Sequence, residues 1–240
     1  MLGLCGLGRN NAGERWITRT MAILVKICGL STTASVEAAV AAGADMVGFV
    51  FFPPSRRHVS PQAAAALAEP ARGHAQIVAL TVDATNAVLS EIVSTLRPDI
   101  LQLHGHETPE RLRELRLMFG LPLMKAIGVS SQDDLGILPD YAQADRFLLD
   151  AKPRLKSALP GGNGLPFDWR TLRGLNAGAS FMLSGGLDPR NVGEAIRIAQ
   201  PQGVDVSSGV ERAPGIKDVA KIEAFIQAAR AAGAEAKVTS

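Results

Sequence analysis

The sequence predicts a single-domain α/β protein folded as a closed (β/α)8 TIM barrel. Eight short apolar runs alternate with eight helix-compatible segments, and no hairpin signal joins consecutive runs. The runs are continuously apolar instead of alternating, as expected when both faces of a parallel sheet are buried. The repeat is roughly 25–30 residues, the size of a strand plus its crossover helix, and the right-handed crossover rule leaves few ways to arrange eight such units. A doubly wound open sheet is the competing architecture. It is disfavoured because no G-x-G-x-x-G follows the first strand.

The first run, Ile23–Cys28, is β-branched and ends at Gly29. Ser31, Thr32 and Thr33 offer N-caps for an Ala-rich helix over Ser35–Ala42, which Gly43 closes. Strand two is Met46–Phe52, followed by the polar loop Pro53–His58. Ser60-Pro61 opens helix two with proline at its first position. Strand three is Gln76–Val82, and helix three, Asn86–Leu96, is stopped by Pro98. Ile100–His104 is strand four, and Thr108-Pro109 caps a helix that runs to Gly120. Leu123–Val129 is strand five, with a short helix over Ser130–Leu138. Arg146–Ala151 is strand six, followed by a long loop containing Gly161–Gly164 and a short helix over Phe167–Leu172. Phe181–Gly186 and Pro189–Ala199 form the seventh unit. Gly203–Ser208 and Lys217–Ala232 form the eighth.

The ends of the chain stand apart. Residues 1–20 read as a disordered or mis-called extension, because Met21 directly precedes the first strand and the apolar start lacks the basic lead of a secretory signal. The barrel then spans 21–233, and 234–240 reads as a frayed tail. With 240 residues, about half of them hydrophobic, the chain can bury one sizeable core. A formal net charge of +2 with no block of like charge argues against nucleic-acid or membrane partners. The two cysteines, Cys5 and Cys28, sit in unrelated contexts, so a disulfide is not expected and a reducing, cytoplasmic compartment fits.

In a barrel of this kind the working face is the C-terminal end of the strands. That selects Cys28, Arg56, Arg57, Asp83, His104, Gly128, Asp150 and the turns that close strands seven and eight. Those turns read Ser184-Gly185-Gly186 and Ser207-Ser208-Gly209. Glycine lets a backbone approach an anion closely, and exposed N–H groups with small hydroxyls supply donors. Two such turns in the last two units favour a phosphorylated small-molecule substrate over two ordinary tight turns. Cys28 and Asp150 end strands one and six, on opposite sides of the mouth, as a candidate base and acid. A free thiol ionises near about 8.5, and Lys26, two residues back on the same face, would help it. Asp150 would need its pKa raised by burial to donate a proton. The plainer readings are a small buried hydrophobe for Cys28 and a helix cap or a pair with Lys152 for Asp150. Strand eight neighbours strand one in a closed barrel, so an inward Asp205 can pair with Lys26 beneath the base or assist proton transfer directly. The pair is preferred, because Asp205 lies deeper than the strand end. His104 and His106 form an H-x-H, but His106 falls past the strand end, so a metal pair is rejected in favour of His104 as pocket wall. Glu211 reads as an organiser of the loop after strand eight or as a surface carboxylate, and Asp83 as a loop carboxylate.

Taken together, Lys26-Ile27-Cys28-Gly29, Gly48–Phe51, Ser55–Arg57 before Ser60-Pro61, Gln102–Gly105, Leu149-Asp150, Gly161-Gly162 through Trp169, Leu183–Leu187 and Val204–Glu211 resemble the phosphoribosylanthranilate isomerase family of tryptophan biosynthesis. The resemblance covers residues 23 to about 231. It implies an Amadori rearrangement of N-(5′-phosphoribosyl)anthranilate to 1-(o-carboxyphenylamino)-1-deoxyribulose 5-phosphate, with Asp150 as acid and Cys28 as base. It also implies that Arg57 holds the anthranilate carboxylate, that the two glycine turns hold the 5′-phosphate and that no cofactor is required. The family position of His58 suggests stacking on the substrate ring. Leu165 and Pro166 depart from the family's polar loop. Other phosphate-binding barrels are the alternatives. A ProFAR-type sugar isomerase would place a carboxylate where this chain has Cys28, an indole-glycerol-phosphate lyase needs charged strand-end residues that are missing, and an inactive barrel would have lost the acid or the base. The oligomer, monomer or homodimer, is left open.

Overall fold

The computed structural model describes residues 23–151, 168–172, 175 and 180–235. The expectations for residues 1–20, for the glycine loop at 161–164 with Leu165 and Pro166, and for 236–240 lie outside the described residues.

The barrel strands are β1 (Leu24–Cys28), β2 (Met46–Phe51), β3 (Gln76–Thr81), β4 (Ile100–Leu103), β5 (Leu123–Val129), β6 (Arg146–Ala151), β7 (Phe181–Leu183) and β8 (Gly203–Val206). Each pairs in parallel with the next, and β8 closes on β1 with Lys26 opposite Asp205. The helices between and after them are α1 (Thr33–Ala41), α2 (Pro61–Ala68), α3 (Asn86–Leu96), α4 (Pro109–Phe119), α5 (Val192–Ala199) and α6 (Val219–Glu235). Side-chain oxygens of Thr32, Ser60, Thr85 and Thr108 cap the first four helices by accepting a backbone N–H three residues on. None of these helices is long and apolar enough to cross a membrane.

The barrel interior is layered. Met46, Val78, Ile100, Met124, Leu148 and Met182 fill its lower end with apolar volume. Above them the inward positions turn polar, with Lys26, Gln102 and Asp205 all buried. The top layer holds Cys28 and Asp150. Three aspartates fix the strand starts from below: Asp45, Asp99 and Asp145 each accept the backbone N–H of the strand next door, at Val25, Ile77 and Leu123, at 2.7 Å. They tie β1 to β2, β3 to β4 and β5 to β6 at the lower rim of the barrel.

Several boundaries differ from the sequence expectation. The fifth helix is a 3₁₀ segment, Gln132–Tyr141, because Pro139 lies inside it and removes a donor from any α ladder. The sixth shrinks to a 3₁₀ turn over Trp169–Leu172. Strands seven and eight stop before their glycine turns. The last helix starts at Val219 and runs through Glu235, so Ala234 is helical rather than part of a frayed tail. Lys217 is not helical. It belongs to a small antiparallel hairpin outside the barrel, β9 (Glu211–Ala213) and β10 (Ile216–Lys217), with Gly215 at φ +83°. The Pro214-Gly215 dipeptide is the turn signal for it.

Candidate active site

A pocket, part of it open to solvent, sits at the C-terminal mouth of the barrel. Its lining gathers residues from β1, the β2 loop, β4, β6, and the turns after β7 and β8, which is why sequence positions far apart converge there.

Cys28 and Asp150 both line this pocket, each as the last inward residue of its strand, and both are buried apart from the edge that faces it. Beneath Cys28, Lys26 donates to Asp205 at 2.8 Å, and Asp205 also accepts from the Ser184 hydroxyl at 3.2 Å. The pair expected from strand adjacency is therefore present and buried. It is Gly48 on β2 that leaves room for this stack. A Cβ there would meet Sγ of Cys28 at 3.0 Å and Cε of Lys26 at 3.3 Å. Burial acts to lower the Lys26 pKa, but the Asp205 carboxylate and the Cys28 sulfur outweigh it and raise it. Burial pushes the Cys28 thiol up, against the opposing pull of Lys26.

Asp150 has a partner that the sequence reading missed. Nε2 of His104 lies 3.4 Å from its Oδ2, and Nδ1 of the same ring lies 3.0 Å from the Gln102 carboxamide. His104 is thus pocket wall, as expected, and an immediate neighbour of the candidate acid. The H-x-H pair splits, as expected. His104 faces the pocket, and the His106 ring stands in solvent, where it pairs with Asp83 at 3.1 Å. Among the described residues no group of histidine, cysteine and acidic side chains could hold a metal ion.

The two glycine turns lie side by side. Ser184, Gly185, Gly186, Ser207 and Ser208 all line the pocket. Gly185 (φ +87°) could carry no Cβ, which would fall 2.4 Å from the Ala151 nitrogen and 2.8 Å from Oδ1 of Asp150. Gly209, expected in the cradle, is not among the lining residues. Its α-carbon packs on the Leu187 carbonyl oxygen, where a Cβ would come within 1.8 Å, so its bareness allows the two turns to close on each other.

Arg57 also lines the pocket, but one edge of its guanidinium is already engaged. Nε and Nη2 donate to the two carboxylate oxygens of Glu211 at 2.7 and 3.0 Å. The reading of Glu211 as a surface carboxylate is overturned: it is buried and also accepts from Lys217 and from the Gly215 N–H. Burial works to raise its pKa, but Arg57 and Lys217 hold it below the ordinary carboxylate range. His58 is exposed and does not line the pocket, so the stacking role suggested for it fails. The apolar wall is instead Val50, Phe52, Leu80 and Val82. Inward parity on β2 and β3, carried one residue past each strand, is the signal that could have found it.

These features define a (β/α)8 barrel enzyme type with a thiol, a carboxyl and two glycine turns gathered at its mouth. The model of the N-(5′-phosphoribosyl)anthranilate (PRA) isomerase family matches residues 25–228, and the chain belongs to that family. It is 57% identical over 213 residues to the N-(5′-phosphoribosyl)anthranilate isomerase of Mesorhizobium japonicum, covering 88% of this chain and 97% of that one. The Rhodopseudomonas palustris (strain HaA2) protein of the same name is 57% identical over 212 residues, with 88% and 97% covered. Among solved structures, the phosphoribosyl anthranilate isomerase from Thermotoga maritima superposes with a TM-score of 0.79 at 36% identity, covering 87% of this chain and 99% of that chain. A phosphoribosyl anthranilate isomerase in complex with reduced 1-(o-carboxyphenylamino)-1-deoxyribulose 5-phosphate superposes at 0.76 with 33% identity, covering 87% and 99%.

Proposed function

We propose that Asp150 and Cys28 carry out the Amadori rearrangement of N-(5′-phosphoribosyl)anthranilate as general acid and general base. One observation carries the assignment: thiol, carboxyl and both glycine turns line a single pocket in a chain of this family. Asp150 gives its proton to the furanose ring oxygen as the C1′–O bond breaks, which leaves an iminium between C1′ and the anthranilate nitrogen. Cys28 as thiolate removes the C2′ proton, and the C–H electrons form the C1′=C2′ bond of an enolamine. Loss of the C2′ hydroxyl proton and protonation at C1′ give the ketone. Atoms and charge balance without an added redox partner.

The electrostatics suit this order of events. Burial holds Cys28 as a thiol before substrate arrives. The iminium formed beside it is a cation, and it favours loss of the thiol proton to the solvent at the pocket mouth, which leaves thiolate for the step that needs it. The backbone N–H groups of the two turns bind the 5′-phosphate, and the free edge of Arg57 binds the anthranilate carboxylate. Val50, Phe52, Leu80 and Val82 bound the aromatic ring. A thiol base is suited to a reducing cytoplasm.

Cys28→Ala and Asp150→Ala should each cut turnover by about 10²–10⁴-fold with substrate binding largely kept. The decay of substrate fluorescence measures it, and near-normal turnover in either variant rejects the assignment. Arg57→Ala should chiefly raise KM, and an unmoved KM counts against its carboxylate contact. A chain starting at Met21 that rescues a tryptophan auxotroph lacking this step would support a barrel of residues 21–233 that works without residues 1–20. Failure of that chain, with rescue by the full one, would overturn it.

A further inference from the structure

We propose that Lys217 is a positioning residue that ties the phosphate cradle to the carboxylate clamp, so that the two ends of the substrate are read by one connected unit. The proposal rests on the phosphate and Arg57 assignments above. Lys217 lies on the β9–β10 hairpin, does not line the pocket, and its side chain is 2% exposed. Its ammonium makes three contacts. It donates to the Ser207 carbonyl oxygen at 2.8 Å, to the Ser207 hydroxyl at 3.3 Å and to Oε1 of Glu211 at 3.0 Å. Glu211 in turn grips Arg57 through both carboxylate oxygens. An unbroken polar chain therefore runs from Arg57 through Glu211 and Lys217 to Ser207.

Peptide geometry gives the first contact its consequence. The C=O of Ser207 and the N–H of Ser208 belong to one planar trans unit and point in opposite directions. Holding the carbonyl on Lys217, behind the pocket, turns the Ser208 N–H the other way. Ser208 and Gly209 open a 3₁₀ turn, where the first N–H groups have no partner within the helix. Ser207 itself sits at φ −126°, ψ −78°, outside the regular helical and extended regions; its carbonyl accepts the Val210 N–H at 3.4 Å, and Lys217 is its shorter contact at 2.8 Å. At the other end, Arg57 crosses Gly29 on its way to Glu211. A Cβ on Gly29 would meet Cδ of Arg57 at 2.5 Å and the Ser207 hydroxyl at 3.1 Å. The loops after β2 and β8 are thus joined through the polar chain, and both pack against the bare α-carbon of Gly29.

The test is competitive inhibition of the full-length enzyme by inorganic phosphate and, separately, by anthranilate, read well below each variant's melting temperature. Lys217→Met, which keeps the stem and removes the charge, should weaken phosphate about tenfold and anthranilate several-fold, and raise KM more than it lowers kcat. Lys217→Arg should recover part of the phosphate effect, and Glu211→Gln should weaken anthranilate more than phosphate. A residue that only stabilises the fold would lower the melting temperature and leave both inhibition constants in place. A folded Lys217→Met with both constants within about twofold of wild type overturns the proposal. If that variant does not fold, unmoved constants in both Lys217→Arg and Glu211→Gln overturn it equally. Wild-type enzyme indifferent to inorganic phosphate would sink the phosphate assignment itself. A phosphate-sensitive wild type with an unmoved Lys217→Met sinks only the coupling.

Discussion

Nε2 of His104 faces Oδ2 of Asp150 across 3.4 Å, and the Gln102 carboxamide holds the opposite ring nitrogen at 3.0 Å. With the carboxamide nitrogen donating to Nδ1, the ring proton sits on Nε2, the nitrogen nearer the carboxyl, while the Gln102 oxygen is left buried without a partner. The imidazole therefore packs against one oxygen of the Asp150 carboxyl. Its other oxygen lies beside Gly185, at the turn after β7.

His104→Ala should lower kcat about tenfold or more while KM moves little, because it removes the alignment of the acid and not a substrate anchor. Steady-state fluorescence assays on the variant decide this. A rise in KM with kcat intact would make His104 a binding residue instead.

The thiol sets an expectation for pH. With the Cys28 thiolate as the proposed base, kcat/KM should rise with pH until Cys28 ionises in the free enzyme. Burial raises that pKa and Lys26 opposes the rise, with the net shift upward. The ascending limb should then have its midpoint above the ordinary thiol value of about 8.5. Lys26→Met, which removes the opposing charge, should move it further up. A limb below the ordinary value in wild type would contradict the burial argument.

Glu211 sets an expectation for stability. Its folded pKa is depressed by Arg57, Lys217 and the Gly215 N–H acting against burial. The unfolded chain therefore binds this proton at higher pH than the folded one does. The stabilisation is fully present above the unfolded value of about 4.3 and is lost as pH falls through the lower folded value. Urea titrations between about pH 5 and 3 should show wild-type stability falling with acid, and Glu211→Gln should flatten that slope. An equal slope in the variant would remove Glu211 as a contributor.

The same residues show what the sequence could and could not say. Cys28, Asp150, Lys26 and Asp205 were legible because strand parity and barrel closure are arithmetic on position, and the structure puts Cys28, Asp150 and Asp205 in the lining of one pocket with Lys26 beneath Cys28. The His104–Asp150 contact was not legible, because it depends on the angle at which two strand ends two places apart in the ring lean together. The Glu211–Lys217 pair was hidden by a boundary error. Once Lys217 is assigned to a helix, its side chain cannot be traced to Ser207, and only the Pro214-Gly215 turn signals the hairpin that puts it there.

Gly185 offers the sharpest check on how the acid is held. Its φ of +87° is already costly for any other residue, and a methyl group there would fall 2.4 Å from the Ala151 nitrogen and 2.8 Å from Oδ1 of Asp150. One neighbour is backbone of β6, which cannot yield, and the other is a buried carboxyl packed against His104. Gly185→Ala must therefore push the β7 turn and the end of β6 apart. It should destabilise the fold by roughly 1–3 kcal/mol through the strained backbone, and it should lower kcat more than that loss of folded enzyme explains, because Asp150 moves with the strand. It should also weaken phosphate inhibition, since the same peptide forms part of the cradle. The comparison is made on folded enzyme at low temperature, where a kcat equal to that of wild type would show that Asp150 is positioned without help from the β7 turn.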